Sequence, residues 1–272
     1  MQATEMRALA EGLLSVALAA ARLQMTHFST GVAVETKADH SPVTIADRQS
    51  EEIILAGLAR VAAGIPVVSE EAAAGGHIPA TGDTFFLVDP LDGTKPYIRG
   101  SREFTINIGL IVARQPVFGL VYAPAIPDFY VTVGSSETLA GRLPPSSSAK
   151  SLAECNLEPL RTQVPDPNAL RALTSQSHLN GATRNFLDRY NIIGSRAVSS
   201  SLKFGLMARG EADIYPRMGE TSEWDTAAGH AVLVAAGGTV TMFDGQPLLY
   251  GKPGFRNPDF VAWGRSPMVR QR

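Results

Sequence analysis

The feature that most constrains this chain is a short apolar run that ends in two acidic residues. Residues 85–88 read Phe-Phe-Leu-Val, and residues 89–94 continue as Asp-Pro-Leu-Asp-Gly-Thr. A compact apolar run of this length predicts a buried β-strand, and carboxylates at its end are typical of a strand that emerges into a functional site. We therefore expect a fold that carries an acidic pocket at one edge of a sheet.

The two acidic residues of this segment, Asp89 and Asp92, suit a hard cation. Magnesium binds through a few carboxylates, keeps several waters and takes further oxygens from phosphate. The turn at Gly93 and Thr94 can present backbone N–H groups to that phosphate. The alternative is an acidic surface turn, because Asp-Gly pairs are common in turns.

Two more acidic sites lie at the ends of apolar elements. Glu70 follows the apolar residues 67–68, and Asp225 opens the apolar segment 225–236. Each alone has a structural interpretation, as a solvated strand end and as a helix N-cap. Together with residues 89–94 they predict three acidic clusters that converge on two or three metal ions.

A fourth carboxylate, Asp47, ends the sequence Thr-Ile-Ala-Asp at residues 44–47, which resembles a capping box at a helix start. That role is compatible with chemistry. Asp47 could orient the Thr94 hydroxyl, which would take a proton from a metal-bound water as it attacks phosphorus.

Periodicity predicts an α+β first half and an α/β second half. The expected helices cover residues 9–23, 47–61, 185–190, 200–209 and 225–236. The expected strands cover residues 67–68, 85–88, 104–112, 117–123, 129–133, 213–215 and 239–243. A linker-like Pro-Pro-Ser-Ser-Ser run at residues 144–148 places a domain boundary there, between domains 1–148 and 149–272.

Composition excludes several classes of protein. Lysine plus arginine (24) nearly balances aspartate plus glutamate (26), so no nucleic-acid partner is indicated. The single cysteine, Cys155, excludes internal disulfides and fits the cytoplasm. The first helix has a packing face and no transmembrane segment is expected, although peripheral contact with the cytoplasmic face of the inner membrane stays open. A P-loop and a Gly-x-Ser-x-Gly nucleophile elbow are both absent.

The Glu70-Glu71 pair, the hexapeptide at 89–94 and the Trp-Asp-Thr-Ala-Ala-Gly run at 224–229 resemble the inositol monophosphatase-like superfamily of lithium-sensitive, magnesium-dependent phosphatases. Within it the chain is most similar to the bacterial 3'(2'),5'-bisphosphate nucleotidase branch. The segments that carry this likeness are residues 41–44, 103–105, 121–124, 200–204, 215–217 and 224–232.

The resemblance implies a layered αβαβα sandwich with the active site between its two halves. It implies that two or three Mg²⁺ ions are bound by Glu70, Asp89, the Leu91 carbonyl, Asp92 and Asp225. The catalytic residues would be Asp47, Thr94 and Glu70.

The same resemblance implies the substrate contacts. Glu70, Leu91, Asp92 and Asp225 would border the substrate, and Gly93 and Thr94 would bind the scissile phosphate. The nucleoside and its remaining phosphate would be held by Ser200, Lys203, Arg217 and His178. Cationic donors suit a substrate with two phosphates, and the alternative is that Lys203 and Arg217 are surface charges.

The expected reaction is the hydrolysis of adenosine 3',5'-bisphosphate (PAP) to AMP and phosphate, in sulfur assimilation. The sulfonated precursor (PAPS, giving APS) is a further candidate substrate. One alternative is an inositol monophosphatase or a sugar-bisphosphate phosphatase of the same superfamily. Another is a non-catalytic protein that senses a nucleotide or a metal. A monomer or a homodimer is expected.

Overall fold

The computed structural model describes residues 1–31, 34–36, 42–176 and 180–265. Helices α1 to α7 span Ala3–Thr30, Ile45–Val61, Glu70–Ala74, Thr94–Ile98, Gly181–Leu187, Leu202–Ala208 and Ala227–Ala235. Strands β1 to β7 span Val34–Thr36, Pro42–Thr44, Val67–Ser69, Thr84–Asp92, Thr105–Val112, Gln115–Ala123 and Asp128–Gly134. Strands β8 to β14 span Glu137–Arg142, Glu158–Pro159, Leu170–Ser175, Ile192–Val198, Ile214–Arg217, Thr239–Met242 and Phe260–Trp263. Single 3₁₀ turns occur at Leu152–Cys155, Glu223–Asp225 and Pro253–Phe255.

The first sheet has seven strands in the order β3-β4-β5-β6-β7-β8-β9. Strand β3 runs parallel to β4, and every later pair is antiparallel. Successive side chains of a strand point to opposite faces. Phe86 and Val88 therefore pack with α1 and α2, while Phe85 and Leu87 face α6 and α7.

The second sheet has five strands in the order β11-β10-β12-β14-β13. One face packs on α5 through Leu170, Ile214 and Phe186, and the other packs on α6 and α7 through Tyr215 and Phe260. Helices α6 and α7 thus lie between the two sheets. The layer order is α1/α2, seven-stranded sheet, α6/α7, five-stranded sheet and α5, which confirms the predicted αβαβα sandwich.

Helix α1 passes the length and composition criteria for a membrane span. Its apolar side is nevertheless covered by the protein, since Leu13, Leu14 and Leu18 have at most 2% of their surface exposed. Helix α2 crosses it closely, because a Cβ on Gly57 would lie 2.5 Å from Val16 Cγ2. Both observations agree with the packing face predicted for the first helix.

Two helices of the second half differ from the sequence expectation. The helix expected at 225–236 is a 3₁₀ turn followed by α7, because Asp225 Oδ2 accepts the Ser222 backbone N–H at 2.8 Å and closes a separate turn. The helix expected at 185–190 begins earlier, at Gly181, because Asn180 Oδ1 caps it by accepting from Thr183 N at 2.8 Å.

Seven strands were not predicted from the sequence: β1, β2, β8, β9, β10, β11 and β14. Strand β9 returns to the seven-stranded sheet after the Pro-Ser segment, and the five-stranded sheet begins at Leu170. The domain boundary at residue 148 stays a prediction.

Candidate active site

Acidic side chains from both halves of the chain lie near one another, at the carboxyl ends of two strands and at the start of a helix. Strands β3 and β4 are parallel neighbours, with Ser69 opposite Val88, so the next residues, Glu70 and Asp89, lie side by side toward the carboxyl ends of these strands. Asp225 arrives from the other half, in the turn that precedes α7. The predicted convergence of these carboxylates is therefore a property of the topology.

Two glycines let α7 approach the sheet closely enough to deliver Asp225. A Cβ on Gly109 would lie 2.8 Å from the Ala227 Cβ, and a Cβ on Gly119 would lie 2.1 Å from the Ala228 carbonyl oxygen. Neither distance is possible for a real side chain. The start of α7 can therefore lie directly on β5 and β6 only because these strands carry glycine there.

The carboxylates share one electrostatic environment. The Asp89 side chain is buried, and burial raises the pKa of its carboxyl well above the usual value, with further increases from Glu70, Asp92 and Asp225. Burial likewise raises the pKa of Asp225, and Asp92 and Glu70 add to it. Such a group of like charges is costly unless cations balance it, so the donor set fits a hard divalent cation such as Mg²⁺.

No three His, Cys, Asp or Glu side chains in the described part of the chain form a closed metal-ligand cluster. That finding is compatible with magnesium. Mg²⁺ keeps several waters and completes its shell with substrate phosphate oxygens, so it needs only one or two carboxylates per ion. Carboxylates spread along a cavity wall are consistent with this mode of binding.

Asp47 and Thr94 form the pair expected from the sequence. Thr94 Oγ1 donates to Asp47 Oδ1 at 2.9 Å. The other carboxylate oxygen, Asp47 Oδ2, accepts from the Thr44 backbone N–H at 2.8 Å and from the Thr44 hydroxyl at 2.6 Å. The capping box is thus confirmed as well. Burial raises the pKa of Asp47, which makes its carboxylate a better proton acceptor.

The turn after β4 holds its acidic residues through local hydrogen bonds. Asp89 Oδ1 accepts from Leu91 N at 3.0 Å, and Thr94 Oγ1 lies 3.3 Å from the Leu91 carbonyl oxygen. Gly93 has φ +98°, and a Cβ there would lie 3.1 Å from the Glu103 carbonyl oxygen. Only glycine adopts this turn without strain.

A cavity of about 360 Å³ opens beside these residues. Eight of the predicted site residues line it: Glu70, Asp92, Gly93, Thr94, Ser200, Lys203, Arg217 and Asp225. Asp47, Asp89 and Leu91 are buried behind its wall. His178 lies outside the described residues.

The two cationic residues are buried, so the alternative of surface charges is wrong. Lys203 is 5% exposed and its Nζ donates to the carbonyls of Val198 (3.1 Å) and Ser200 (2.6 Å). Burial lowers the pKa of Lys203 to about 8. Arg217 is 7% exposed and donates to the Glu220 carbonyl at 2.7 Å. A cationic pair therefore stands on the wall of the acidic cavity.

The family of the chain follows from a comparison of its whole length. The sequence profile of the inositol monophosphatase family matches residues 4–264. The chain belongs to the inositol monophosphatase family. Within this family it is 40% identical over 231 residues to the 3'(2'),5'-bisphosphate nucleotidase CysQ of Shigella flexneri, covering 84% of this chain and 87% of that protein.

Solved structures agree with the family fold. The crystal structure of CysQ from Bacteroides thetaiotaomicron superposes with a TM-score of 0.78 at 32% identity and covers 96% of this chain and 98% of that chain. The inositol monophosphatase from Anabaena (Nostoc) sp. PCC 7120 has a TM-score of 0.71 at 23% identity, covering 94% and 90%. At that identity the second likeness concerns the fold alone.

Several contacts of this family member's site were missed by sequence reasoning. The Ser201 backbone N–H donates to Asp92 Oδ2 at 2.6 Å, and Asn107 Nδ2 lies 3.4 Å from the same oxygen. Glu103 Oε2 accepts from Ser199 N at 2.9 Å. For Asn107 a signal existed, because an amide inside the apolar segment 104–112 is unusual unless it has a polar partner.

His230 is a buried residue of α7. Its ring is 5% exposed inside α7, and Nδ1 lies 2.9 Å from the Tyr250 hydroxyl oxygen. Burial lowers the pKa of His230 to about 3, so the ring is neutral at physiological pH.

Proposed function

We propose that this member of the inositol monophosphatase family is a magnesium-dependent phosphatase that hydrolyses adenosine 3',5'-bisphosphate to AMP and phosphate. The observation that carries this proposal is that several carboxylates and the buried cations Lys203 and Arg217 line one cavity. A substrate with a single phosphate needs only the metal-binding carboxylates. The 40% identity to a protein named as a 3'(2'),5'-bisphosphate nucleotidase supports the same substrate.

We assign the metal ligands to Glu70, Asp89, the Leu91 carbonyl, Asp92 and Asp225, with two or three Mg²⁺ ions. When bound, Mg²⁺ neutralises charge on the phosphoryl oxygens and lowers the pKa of a coordinated water. Besides burial, which is the main cause, repulsion from neighbouring carboxylates raises the pKa of Asp89. This repulsion supports the assignment, because divalent cations would relieve it.

The remaining chemistry is assigned to Asp47 and Thr94. The attacking water gives its proton to Thr94 Oγ1 as the Thr94 proton passes along the 2.9 Å hydrogen bond to Asp47 Oδ1. The new P–O bond forms in line with the bond between phosphorus and the 3'-oxygen. That bond breaks, and the 3'-oxygen takes a proton from solvent. Burial is the main cause of the raised pKa of Asp47, and the charge of Glu70 adds to it. We assign this smaller effect to Glu70 as its catalytic contribution besides metal binding.

We assign substrate binding to two groups of residues that line the cavity. Gly93 and Thr94 hold the scissile phosphate, and Lys203 and Arg217 hold the 5'-phosphate with charge-assisted hydrogen bonds. Ser200 has φ +59°, a strained conformation that is typical of functional positions. The role of His178 in nucleoside binding stays a prediction from the family resemblance.

The proposal is tested by substrate profiling with purified protein and Mg²⁺. We expect phosphate release from adenosine 3',5'-bisphosphate to be far faster than from inositol 1-phosphate. In Arg217→Met, kcat/KM for the bisphosphate should fall about 10- to 100-fold, the worth of a hydrogen bond to a charged group. The kcat/KM for 3'-AMP, which lacks the second phosphate, should stay unchanged.

Several outcomes contradict the proposal. Faster phosphate release from inositol 1-phosphate than from adenosine 3',5'-bisphosphate favours the inositol monophosphatase alternative. Faster phosphate release from a sugar bisphosphate favours the sugar-bisphosphate phosphatase alternative. Unchanged turnover in Asp89→Asn, or no phosphatase activity on any phosphate ester tested with Mg²⁺, favours the non-catalytic alternative. The sulfur-assimilation setting, activity on PAPS, the cytoplasmic location and the monomeric or homodimeric state are proposed from the sequence and the relatives.

A further inference from the structure

Buried polar atoms that lack a protein partner concentrate at one place in this molecule. Among the residues that the structure describes, five buried side-chain atoms make no hydrogen bond: Gln24 Oε1, Ser69 Oγ, Thr105 Oγ1, Asn107 Oδ1 and Arg217 Nε. All five border the candidate active site. Gln24 Nε2 donates to the Pro90 carbonyl at 2.7 Å, and Ser69 directly precedes Glu70.

Two of these residues, Thr105 and Asn107, lie on β5 with the same orientation. In the register of the sheet Asn107 is opposite Asp89 and Thr105 is opposite Asp92. Their neighbours Ile106 and Ile108 belong to the core beneath α1 and α2. Thr105 and Asn107 therefore face the other way, beneath the acidic residues.

The face of the sheet changes character as it approaches the site. Farther from the site the same face of β4 and β5 carries Phe85, Leu87 and Ile111, all in the apolar core beneath α6 and α7. At the site the equivalent positions become an amide and a hydroxyl, both completely buried. Apolar side chains would have served packing there, so the polar atoms require another explanation.

The amide of Asn107 has one end engaged and one end open. Nδ2 lies 3.4 Å from Asp92 Oδ2, whereas Oδ1 is an acceptor without a donor in the described residues. Mg²⁺ retains several waters in protein sites, and these waters are hydrogen-bond donors. An open acceptor beneath the ligand carboxylates matches such a donor.

We propose that Asn107 is a positioning residue of the metal site, which orients Asp92 through Nδ2 and accepts, through Oδ1, a hydrogen bond from water bound to the cations. Thr105 provides a second such contact from the same strand. The inference rests on the proposed function. It extends the metal site to two residues that are not themselves ligands, and residues in that position typically alter metal affinity when changed.

The test compares metal binding and stability in Asn107→Leu, which keeps the number and branching of the side-chain heavy atoms and removes both polar ends. We expect the Mg²⁺ dissociation constant, measured by calorimetry on the metal-free protein, to rise about 10- to 100-fold. The melting temperature in EDTA should stay the same or rise, because an open buried acceptor is removed. A residue that serves only the fold would show the opposite pattern, a lower melting temperature and normal metal affinity.

Thr132→Val is the matched control. Thr132 is another buried polar residue of the same sheet, but its hydroxyl is engaged, since it accepts from Gly119 N at 2.9 Å. We expect this variant to melt at a lower temperature with and without Mg²⁺ and to bind Mg²⁺ with wild-type affinity. Asn107→Thr, a strand-forming residue with one hydroxyl, provides a second variant, with an intermediate Mg²⁺ affinity expected.

The inference is overturned if Asn107→Leu and Asn107→Thr bind Mg²⁺ as tightly as the wild type. Asp89→Asn separates this failure from failure of the proposed function. If Asp89→Asn weakens Mg²⁺ binding and the Asn107 variants do not, only the inference about Asn107 falls. If Asp89→Asn also binds normally, the assignment of the metal site itself is wrong.

Discussion

Lys252 Nζ lies 2.6 Å from Glu223 Oε1, in an ion pair whose acidic side chain has no exposed surface. The same carboxylate accepts the backbone N–H groups of Gly251 at 2.7 Å and of Lys252 at 2.9 Å. Glu223 is two residues before Asp225. The ion pair therefore connects the loop at residues 251–252 to the turn that contains Asp225, a proposed metal ligand.

Removing the lysine charge should destabilise the protein. In Lys252→Met the buried Glu223 carboxylate loses its counter-ion, and we expect the free energy of unfolding to fall by about 3 kcal/mol. This loss is at the low end of the range for breaking a buried ion pair, because the Lys252 side chain is 21% exposed. In addition, the two backbone N–H groups still donate to the Glu223 carboxylate. Urea denaturation measures the change.

The exposed ion pair of Arg7 and Glu137, 3.6 Å apart, provides the control. Arg7→Met should lower the free energy of unfolding by less than about 1 kcal/mol. Equal losses in the two variants would contradict this prediction.

Asp47→Asn should abolish proton acceptance at this position. The amide oxygen can still accept from Thr94 Oγ1, but it cannot take the proton, so we expect kcat to fall about 10²- to 10⁴-fold. Steady-state kinetics at saturating Mg²⁺ measures the loss. Thr94→Ser keeps the hydroxyl and should remain within about 10-fold of wild type, well short of the loss of general-base catalysis. An Asp47→Asn enzyme with nearly normal kcat would rule out the proposed proton transfer.

His230 should make the protein less stable in acid. Its pKa is about 3 in the folded state against 6.5 as the ordinary value, so below pH 6.5 the unfolded state binds a proton that the folded state does not. Stability is then fully present above pH 6.5 and is lost progressively as the pH falls toward 3. Between pH 7 and pH 5 this one group should cost about 2 kcal/mol.

The measurement compares the wild type with His230→Asn, which does not titrate in this range. Urea denaturation in EDTA at pH 7 and at pH 5 gives the pH-dependent loss for each protein, and other titrating groups contribute equally to both. We expect the loss to be smaller in His230→Asn by about 2 kcal/mol. The same loss in both proteins would mean that His230 is not buried in its neutral form.

Gly119→Ala should disturb the approach of α7 to the sheet. The new methyl group would lie 2.1 Å from the Ala228 carbonyl oxygen, so the helix must move, at a cost of about 1–3 kcal/mol or more in the free energy of unfolding. Activity should fall as well, because Asp225 moves with α7. Gly194→Ala in β11 is the control, since no atom lies within 4 Å of its Cβ, and its stability should be nearly unchanged. Normal stability and activity in Gly119→Ala would contradict the proposed role of this glycine.

Much of the site was predictable because its parts are local. The capping box at Asp47 follows from residue spacing within one helical turn, and the strand ends at Glu70 and Asp89 follow from short apolar runs. Strands β8 to β11 were not predictable in the same way. Strand β11 is largely exposed at the edge of the five-stranded sheet, so it lacks the apolar pattern that marks a buried strand.

The sequence by itself determined the donor types, the helix faces and the family, because these depend on residue identity and short-range order. The tertiary structure decided which groups meet. Ser201 N reaches Asp92 Oδ2 across a separation of 109 residues, and Asn107 comes to lie beneath Asp89 only through the antiparallel register of β4 and β5. It also buried Lys203 beside the acidic cavity. Such contacts arise from the packing of the two sheets around α6 and α7, and no local pattern encodes that packing.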